Sequence, residues 1–255
     1  MGEKTDIYYY MHWGNYNKRI KDLADMALDE IWSFPENQNN TYSILKNYMK
    51  YTFYKLQEEN KIVETQDYCV FNTGLFTKYY EPICVYGEKS PNPDGGWKFK
   101  DFYTSYELGS VGIGECPERA DYFSDPGLLI FDWHCKINVN IKHILEDADN
   151  KTRLPVSVLN ADRPEYILQG AVNNAIQRVT ANYKLAVPQY FAGKVQLLLP
   201  LCFDKSDTPQ LAIALTKMDG GYYQGHTCLT MDMAYNNARL ISKPENNWLS
   251  LDRKD

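Results

Sequence analysis

The sequence predicts an α+β fold, a single domain with a central, mostly antiparallel sheet and an N-terminal pair of helices followed by a hairpin. Apolar residues recur at steps of three and four in the N-terminal part, as they do in amphipathic helices. Short apolar, β-compatible runs bounded by turn residues recur further along, as they do in strands. We find no internal repeat and no linker long enough to separate two domains, so we predict one domain over 18–255 behind an extended N-terminal arm at 1–17.

Two helices and a hairpin open the predicted domain. Helical spacing predicts one helix from Lys18 and a second over 41–60, separated by a proline and an asparagine-rich stretch at 37–40. Two short strands, 61–65 and 68–71, follow as a hairpin. This order is that of winged-helix modules, so residues 18–75 form either a winged-helix-like subdomain or the start of an ordinary α+β domain.

The later elements are predicted by the same signals. Asp162-Arg163-Pro164-Glu165 has the form of a capping box with proline in the first turn, which predicts the start of a long helix. Lys194–Leu201 and Leu211–Thr216 are nearly all apolar and flank a turn-rich loop, so we expect them to be antiparallel neighbours. The other predicted elements are strands at 83–86, 128–131 and 228–230 and helices at 139–147 and 231–241.

Composition and charge narrow the class of protein. The 255 residues are 44% hydrophobic and 24% charged, which is typical of folded chains and excludes wholesale disorder. Apolar runs fall short of the ~20 residues that span a bilayer, and the N-terminus does not resemble a secretory signal. The net charge of −6 disfavours charge-driven nucleic-acid binding unless the cations cluster. We therefore expect a cytoplasmic protein with no membrane partner.

The six cysteines carry no C-x-x-C spacing. They supply zinc ligands or disulfides, or they are buried free thiols in a reducing compartment. Several lie within apolar stretches, and cysteine is among the most buried residue types. We therefore expect six reduced thiols, no metal and no cofactor.

Several standard catalytic and nucleotide-binding motifs do not occur in the sequence. It has no G-x-x-x-x-G-K-[ST] loop, no H-E-x-x-H helix and no G-x-S-x-G elbow. Gly109–Gly114 superficially resembles a dinucleotide-binding loop, which must follow a strand and open a helix. Because the residues before it make a poor strand, we predict a flexible loop there.

Two histidines are the weak candidates for catalysis. His134 and His143 are the best proton-transfer residues in the chain, since imidazole titrates near neutral pH. Together with Asp132 and Cys135 they resemble part of a metal site, but a third or fourth ligand at recognisable spacing is lacking. A structural histidine pair is the alternative.

Polar side chains cluster at three predicted turns or element ends. Such groups either satisfy one another as a structural network or bind a ligand, because leaving them buried and unpaired costs ~1–3 kcal/mol each. Asparagine offers a paired donor and acceptor, and arginine clamps anions, so the combination suits a base and a phosphate. We predict that the three segments converge on one pocket, with ligand-binding residues Asn72, Thr73, Gly74, Tyr183, Gln189, Tyr190, Asp232, Tyr235, Asn236, Asn237 and Arg239.

Several short motifs lie along nearly the whole chain. They are Leu23-Ala24-x-x-Ala27-Leu28, Tyr48-x-x-Tyr51-Thr52-Phe53, Phe71-Asn72-Thr73-Gly74-Leu75, Arg153-Leu154-Pro155, Ala186-Val187-Pro188-Gln189-Tyr190, Leu198-Leu199-Pro200-Leu201-Cys202, Leu229-Thr230-x-Asp232-Met233-Ala234-Tyr235-Asn236-Asn237-Ala238-Arg239-Leu240 and Trp248-Leu249. Through these motifs the chain resembles the bacterial family catalogued as domain of unknown function 3825, and the resemblance is most specific in the segment that ends at Leu240. It implies a role in RNA biology, because relatives are fused to small RNA-associated modules, but it implies no activity and no catalytic residue.

Three functional hypotheses follow. The first is a domain that binds a nucleotide or single-stranded RNA through a pocket rich in Asn, Tyr and Arg. The second is a hydrolase or nucleotide-modifying enzyme with a histidine acid or base and Arg239 on an oxyanion. The third is a non-catalytic scaffold that docks a partner through Tyr8-Tyr9-Tyr10.

Overall fold

The structure, a computed structural model, describes residues 5–35, 40–91, 95–206, 208–246 and 248–251. Helices and strands are both abundant, and the α+β class is confirmed. The chain divides into two compact units, residues 1–121 and 122–255, and each unit has its own five-stranded sheet. That residues 18–255 act as one domain stays a prediction. In the described part of the chain, no helix has the length and apolar character needed to cross a membrane.

The first unit contains the predicted helix pair and hairpin. Its sheet has the order β1-β5-β4-β3-β2, in which β1 and β5 are parallel and the other neighbours are antiparallel. The long helix α3 buries one apolar face, which includes Ile44, Met49 and Phe53. The elements are α1 (Ile7–Tyr10), β1 (Met11–His12), α2 (Tyr16–Met26), α3 (Ser43–Glu58), β2 (Val63–Glu64), β3 (Tyr68–Phe76), β4 (Pro82–Lys89), β5 (Trp97–Tyr103) and α4 (Ser105–Ser110).

The prediction of an extended N-terminal arm is wrong for the residues that the structure describes. The chain forms α1 and β1 there, and Ile7, Met11 and Trp13 are at most 5% exposed. Trp13 also stacks on Phe99 of β5, with ring centroids 4.7 Å apart. Elements of four and two residues are too short to show a hydrophobic period, so the sequence pattern gave no sign of them.

The second unit is built on the order β6-β10-β9-β8-β7, with β6 parallel to β10 and the other neighbours antiparallel. The predicted pairing of the two apolar runs is confirmed, because β8 and β9 are antiparallel neighbours over Leu197↔Leu215 to Leu201↔Leu211. The elements are β6 (Lys136–Val139), α5 (Ile141–Glu146), α6 (Ala148–Arg153), α7 (Val156–Leu159), α8 (Pro164–Ala181), β7 (Val187–Phe191), β8 (Lys194–Leu201), β9 (Leu211–Met218), β10 (Tyr222–Thr230) and α9 (Met231–Arg239).

The two sheets have the same topology. In each, the first strand lies at one edge, parallel to the last strand, and the four later strands form an antiparallel meander. In each, the helices between the first and second strands include the longest helix of the unit, and a further helix follows the last strand. The sequence shows no internal repeat, so the repetition lies in the order of the backbone elements.

The sheet of the second unit has one apolar and one mixed face. Leu197, Leu199 and Leu201 of β8 pack with the equivalent residues of β9 and with the buried side of α8 in one hydrophobic cluster. Side chains alternate between the faces of a strand, so Gln196 and Leu198 of β8 lie on the opposite face. That opposite face carries the cavity described below.

Four local predictions differ from the structure. Residues 128–131 are not a strand, because a 3₁₀ turn covers Pro126–Leu128 and Ile130 is 57% exposed. The predicted helix end near Pro188 is a 3₁₀ turn followed by β7. The predicted loop at 109–114 begins inside α4, which the Thr104–Glu107 capping box starts. The first predicted helix ends at Met26 and not at Pro35 and the asparagines of 37–40, because Ala27 takes an extended conformation and forms a bridge with Thr77. Residues 36–39 lie outside the described residues.

The prediction of six free thiols is wrong. Cys84 of β4 and Cys116, 32 residues further on, form a disulfide, and the other four cysteines are free. Buried apolar surroundings suit a free thiol and a disulfide equally, since both are compact and weakly polar. The pairing depends on where residues 111–118 lie against the sheet. The spacing of the cysteines along the sequence does not indicate that position.

We predict that a denaturing thiol titration counts four reactive thiols before reduction and six after it. Reduction removes a closed loop of about thirty residues, so we expect it to lower the free energy of unfolding by about 3–4 kcal/mol. Cys202→Ser is the matched control, because it removes one free thiol and leaves the disulfide in place. Six reactive thiols in the unreduced wild-type protein would contradict the disulfide.

Candidate functional site

A cavity of about 500 Å³ lies in the second unit, on the sheet face opposite α8. Its floor is formed by β7, β8 and β9, and its wall by α5, α6 and the end of β10. The side chains that line it are mostly polar or charged: glutamines, a threonine and a lysine from the sheet, and histidines, aspartates and an arginine from the wall. This composition is unlike that of the opposite, leucine-rich face.

A row of hydrogen-bonded side chains crosses the floor. Gln189 of β7 lies directly opposite Gln196 of β8, and its Nε2 donates to the Gln196 Oε1 at 2.9 Å. Gln196 Nε2 donates in turn to the Thr216 Oγ1 of β9 at 2.8 Å. From α9, Asn237 Nδ2 donates to the Gln189 Oε1 at 3.1 Å. All four groups therefore form one directed chain, which we call the amide row.

Burial makes the amide row an ordered part of the site. Gln189 is 0% exposed, and its two hydrogen bonds satisfy a side chain that would be costly to bury unpaired. Gln196 and Thr216 are partly exposed at the cavity. A carboxamide has two N–H donors and an oxygen with two lone pairs, so Gln196 retains hydrogen-bonding capacity for a ligand beyond its two bonds in the row.

A β-bulge places His226 at the cavity. Gly225 pairs with Leu215 and Thr227 with Ala214, which leaves His226 as an extra residue in β10. The buried Asn150 of α6 bonds the backbone of β10 just beyond the end of its pairing with β6: its Nδ2 donates to the His226 carbonyl at 3.1 Å and its Oδ1 accepts from the Cys228 N–H at 2.8 Å. Bulges re-aim side chains in this way and are frequent next to active sites.

A second asparagine places His143 beside His226. Asn140 accepts from the His143 N–H at 3.0 Å as the N-cap of α5, and its own N–H donates to the Gly225 carbonyl at 2.9 Å. The two imidazole ring centroids are 5.8 Å apart, with an angle of 59° between the ring planes. Both side chains are exposed at the cavity, so two groups able to carry a proton meet there.

Charges of both signs surround the histidine pair. Arg153 and Lys194 supply two cations, and Asp147 and Asp149 two carboxylates. Asp147 already accepts from the Asn150 N–H at 2.8 Å as the N-cap of α6. Arg153 donates through Nη1 to the Cys228 carbonyl at 2.9 Å, which leaves the other guanidinium N–H groups for a ligand.

The described residues do not supply a metal centre or an activated thiol at this cavity. They contain no group of three or more His, Cys, Asp or Glu side chains placed to hold a metal ion. Burial raises the pKa of the Cys228 thiol to about 12, so this thiol stays protonated at neutral pH. The side chains that line the cavity offer imidazoles, cations, carboxylates and amides.

His134 belongs to a different local cluster. Its side chain is 79% exposed, and its Nδ1 lies 2.9 Å from the Asp132 Oδ1. The backbone N–H of His134, and then its imidazole, hold the pKa of Asp132 at about 2. Desolvation, and then the hydrogen bond to Asp132, raise the pKa of the Cys135 thiol. Of the two predicted histidines, His143 is the one that lines the cavity.

The predicted Asn72-Thr73-Gly74 turn lies within the first unit and forms a closed network. Asn72 donates to the Pro117 carbonyl at 2.8 Å and accepts from the Gly74 N–H at 2.8 Å. Thr73 Oγ1 donates to the Ile83 carbonyl at 2.7 Å, and the Tyr48 hydroxyl donates to the Thr73 carbonyl at 3.0 Å. These groups satisfy one another across a register shift between β3 and β4.

The other predicted residues lie in the second unit at different depths. Gln189 and Asn237 belong to the amide row, and Tyr235 and Arg239 of α9 are 2% and 8% exposed. The Asn236 Oδ1 is buried without a hydrogen-bond partner among the described residues. The convergence of all three segments stays a prediction. The remaining predicted residues are the exposed Tyr183 and Asp232, and Tyr190, whose ring packs edge-on against Tyr122 at 4.9 Å.

Sequence reasoning missed most of the cavity, namely Arg153, Lys194, Gln196, Thr216 and His226. Gln196 and Thr216 carried a usable signal, because each is a polar residue within an apolar strand that was correctly predicted. The bulge at His226 carried none, since a bulge is defined by register and not by composition.

We predict that Gly74→Ala destabilises the protein more than Gly112→Ala does. Both glycines have a positive φ, which costs ~1–2 kcal/mol for alanine, but only at Gly74 would the new Cβ meet the Tyr48 hydroxyl, at 2.5 Å. Loss of the Tyr48 hydrogen bond adds ~1–3 kcal/mol. Urea unfolding measures the difference, and equal midpoints for the two variants would show that the turn is not held by Tyr48.

We also predict that the amide row stabilises the second unit. Gln189→Ala removes the acceptor of the Asn237 Nδ2 and the donor to the Gln196 Oε1, so the free energy of unfolding should fall by ~2–4 kcal/mol. Gln169→Ala is the control, because it breaks a side-chain pair on the exposed surface of α8 and should change stability by less than ~0.5 kcal/mol. Urea unfolding of both variants checks this, and similar stability losses would argue against an ordered row.

Comparison with known proteins identifies the family. A family model described as Domain of unknown function (DUF3825) matches residues 23–248. Neither a search of curated proteins nor a search of solved structures returns a match. Because the family model spans most of the chain, the protein belongs to the DUF3825 family.

Proposed function

We propose that the cavity of the second unit binds a nucleotide or the end of a single-stranded RNA. The observation that carries the proposal is the amide row, which presents ordered and partly exposed hydrogen-bonding groups beside two cations and two histidines. A volume of about 500 Å³ lies within the ~300–1,000 Å³ of small-molecule sites, so one nucleotide fits.

The base side of the proposed site is formed by the sheet. Gln196 and Thr216 offer donors and acceptors at the positions where the edge of a base would lie. Phe191, at the end of β7, lines the same cavity and is 53% exposed. Aromatic side chains of this kind stack on bases, and each stack contributes ~1–3 kcal/mol.

The phosphate side is formed by Lys194 and Arg153. Both line the cavity, and arginine binds phosphate oxygens bidentately. The two aspartates and the net charge of −6 oppose a long polyanion, so a ligand with one or two phosphates in the cavity fits better than a duplex.

Two wider predictions accompany this proposal. A cytoplasmic location remains part of the proposal, and the Cys84–Cys116 disulfide is the observation against that location, because disulfides are rare in reducing compartments.

The second candidate function is acid–base catalysis on the bound ligand, which the adjacent His143 and His226 rings favour.

We predict that a fluorescein-labelled uridine hexanucleotide binds the wild-type protein, with unlabelled uridine monophosphate as a competitor. The oligomer carries 2′-O-methyl groups, which prevent cleavage at that hydroxyl. Phe191→Ala should weaken binding by about 5- to 150-fold through lost stacking. Lys194→Ala should weaken binding and make the slope of log affinity against log salt shallower by ~0.7, because one phosphate contact is lost. Fluorescence anisotropy measures both effects.

Lys205→Ala is the matched control, because this exposed lysine follows the opposite end of β8. We expect it to bind like the wild type. Equal weakening in all three variants, or no binding by the wild-type protein, would contradict the proposed site.

A further inference from the structure

We propose that this cavity cleaves single-stranded RNA by transferring the phosphodiester to the neighbouring 2′-hydroxyl, with His143 and His226 as general acid and base. The inference rests on the proposed function, because the RNA must first bind between the amide row and the cations. It adds a reaction, a substrate class and two catalytic residues to that binding site.

The histidine pair supplies the two groups that the reaction needs. One group must take a proton from the attacking hydroxyl, and another must give a proton to the departing oxygen of the same phosphorus. His143 and His226 come from different elements, and their ring centroids are 5.8 Å apart. Two imidazoles at this separation reach oxygens of one phosphodiester, and imidazole performs both roles near neutral pH.

The step balances without a further reactant. The neutral ring takes the 2′-hydroxyl proton while the bond from the 2′-oxygen to phosphorus forms. The bond from phosphorus to the 5′-oxygen breaks, and the protonated ring gives its proton to that oxygen. The products are a 2′,3′-cyclic phosphate end and a 5′-hydroxyl end. RNA supplies its own nucleophile, so the side chains only move protons and offset charge.

The cations of the cavity support the same step. Negative charge builds up on the non-bridging phosphate oxygens as the fifth oxygen approaches phosphorus. Arg153 and Lys194 line the cavity beside the histidines and are placed to offset that charge. Removing either cation should therefore lower turnover as well as binding.

Asn150 is the positioning residue for His226. It is 2% exposed, and its amide bonds the carbonyl of His226 and the N–H of Cys228 in the part of β10 beyond Gly225, where the pairing with β6 ends. Asn150→Asp keeps the acceptor for the Cys228 N–H but loses the donor to the His226 carbonyl. This change should loosen the bulge and lower kcat more than it raises the KM, because the amide row and Lys194 are untouched and Arg153 keeps its own bond to the Cys228 carbonyl.

Turnover should depend on pH as a bell-shaped curve, since one ring must be neutral while the other is protonated. The charged groups that face the two rings are Asp147, Asp149 and Arg153 from α6 and Lys194 from β8. Asn150 contacts the backbone carbonyl of His226, so Asn150→Asp should lower the height of the curve and keep both of its limbs. His226→Ala should instead remove the limb that this ring contributes.

The test uses the full chain, a labelled uridine dodecamer and its 2′-O-methyl counterpart, both in excess EDTA. We expect the RNA to be cut to products with 2′,3′-cyclic phosphate ends, detected by mass spectrometry, and the 2′-O-methyl oligomer to be bound without cleavage. His143→Ala and His226→Ala should each lower kcat about 100-fold or more, with binding of the 2′-O-methyl oligomer kept within threefold.

His134→Ala is the matched control. His134 is an exposed histidine of the same unit that belongs to the Asp132 cluster, so this variant should cleave the RNA like the wild type. Binding without cleavage, cleavage lost in EDTA, or cleavage at the wild-type rate by either cavity variant would overturn the inference and leave the proposed binding function standing. Failure of the wild-type protein to bind the 2′-O-methyl oligomer would instead remove the proposed function itself.

Discussion

The hydrogen bonds between the Asn150 amide and β10 are the interaction on which the rest of the site depends. The pairing of β10 with β6 ends at Gly225, so buried backbone groups further along that side of β10 need other partners. Asn150 bonds the His226 carbonyl and the Cys228 N–H from a single side chain. Because it sits in α6, it also fixes that helix against the strand, and α6 carries Arg153 and the two aspartates to the cavity. One buried amide thus sets the positions of the wall and of His226 together.

The two faces of the second sheet explain why a polar site is tolerated so near a hydrophobic core. The leucines of β8 and β9 that face α8 bury apolar surface, which is the main favourable contribution to folding. The opposite face can then carry the amide row, provided that every buried group has a partner. Gln189 meets this condition through Asn237 and Gln196. A shift of one residue in the register of β8 would exchange the two faces, so the core and the site specify the same register.

The sequence predicted the parts of the fold that local patterns determine. The start of α2, the helices α3 and α8 and the pairing of β8 with β9 follow from hydrophobic period and turn composition, and they are confirmed. The strand β7 was missed because its proline comes shortly after the helical pattern of α8 and was interpreted as the end of that helix. The disulfide, the His226 bulge and the division of the strands into two sheets depend on contacts between distant residues. Gln189 was predicted for its amide, yet its partner Gln196 was not, since only the register of two strands brings them together.

The shared topology of the two sheets allows a physical comparison between their irregular strands. In the first unit, the register shift of β3 is closed by its own residues, because Asn72 and Thr73 bond to nearby backbone and the Tyr48 hydroxyl fills the space above Gly74. In the second unit, the Asn150 side chain bonds the backbone carbonyl of His226 at the bulge of β10, so the side chain of His226 stays free to face the cavity. The first arrangement uses its polar groups to hold the backbone, and the second holds the backbone with a separate residue. Of these two arrangements, the one in the second unit leaves functional groups available to a ligand, so we place the candidate site in that unit. The Asn72-Thr73-Gly74 segment is equally polar in sequence, but its polar groups hold its own backbone.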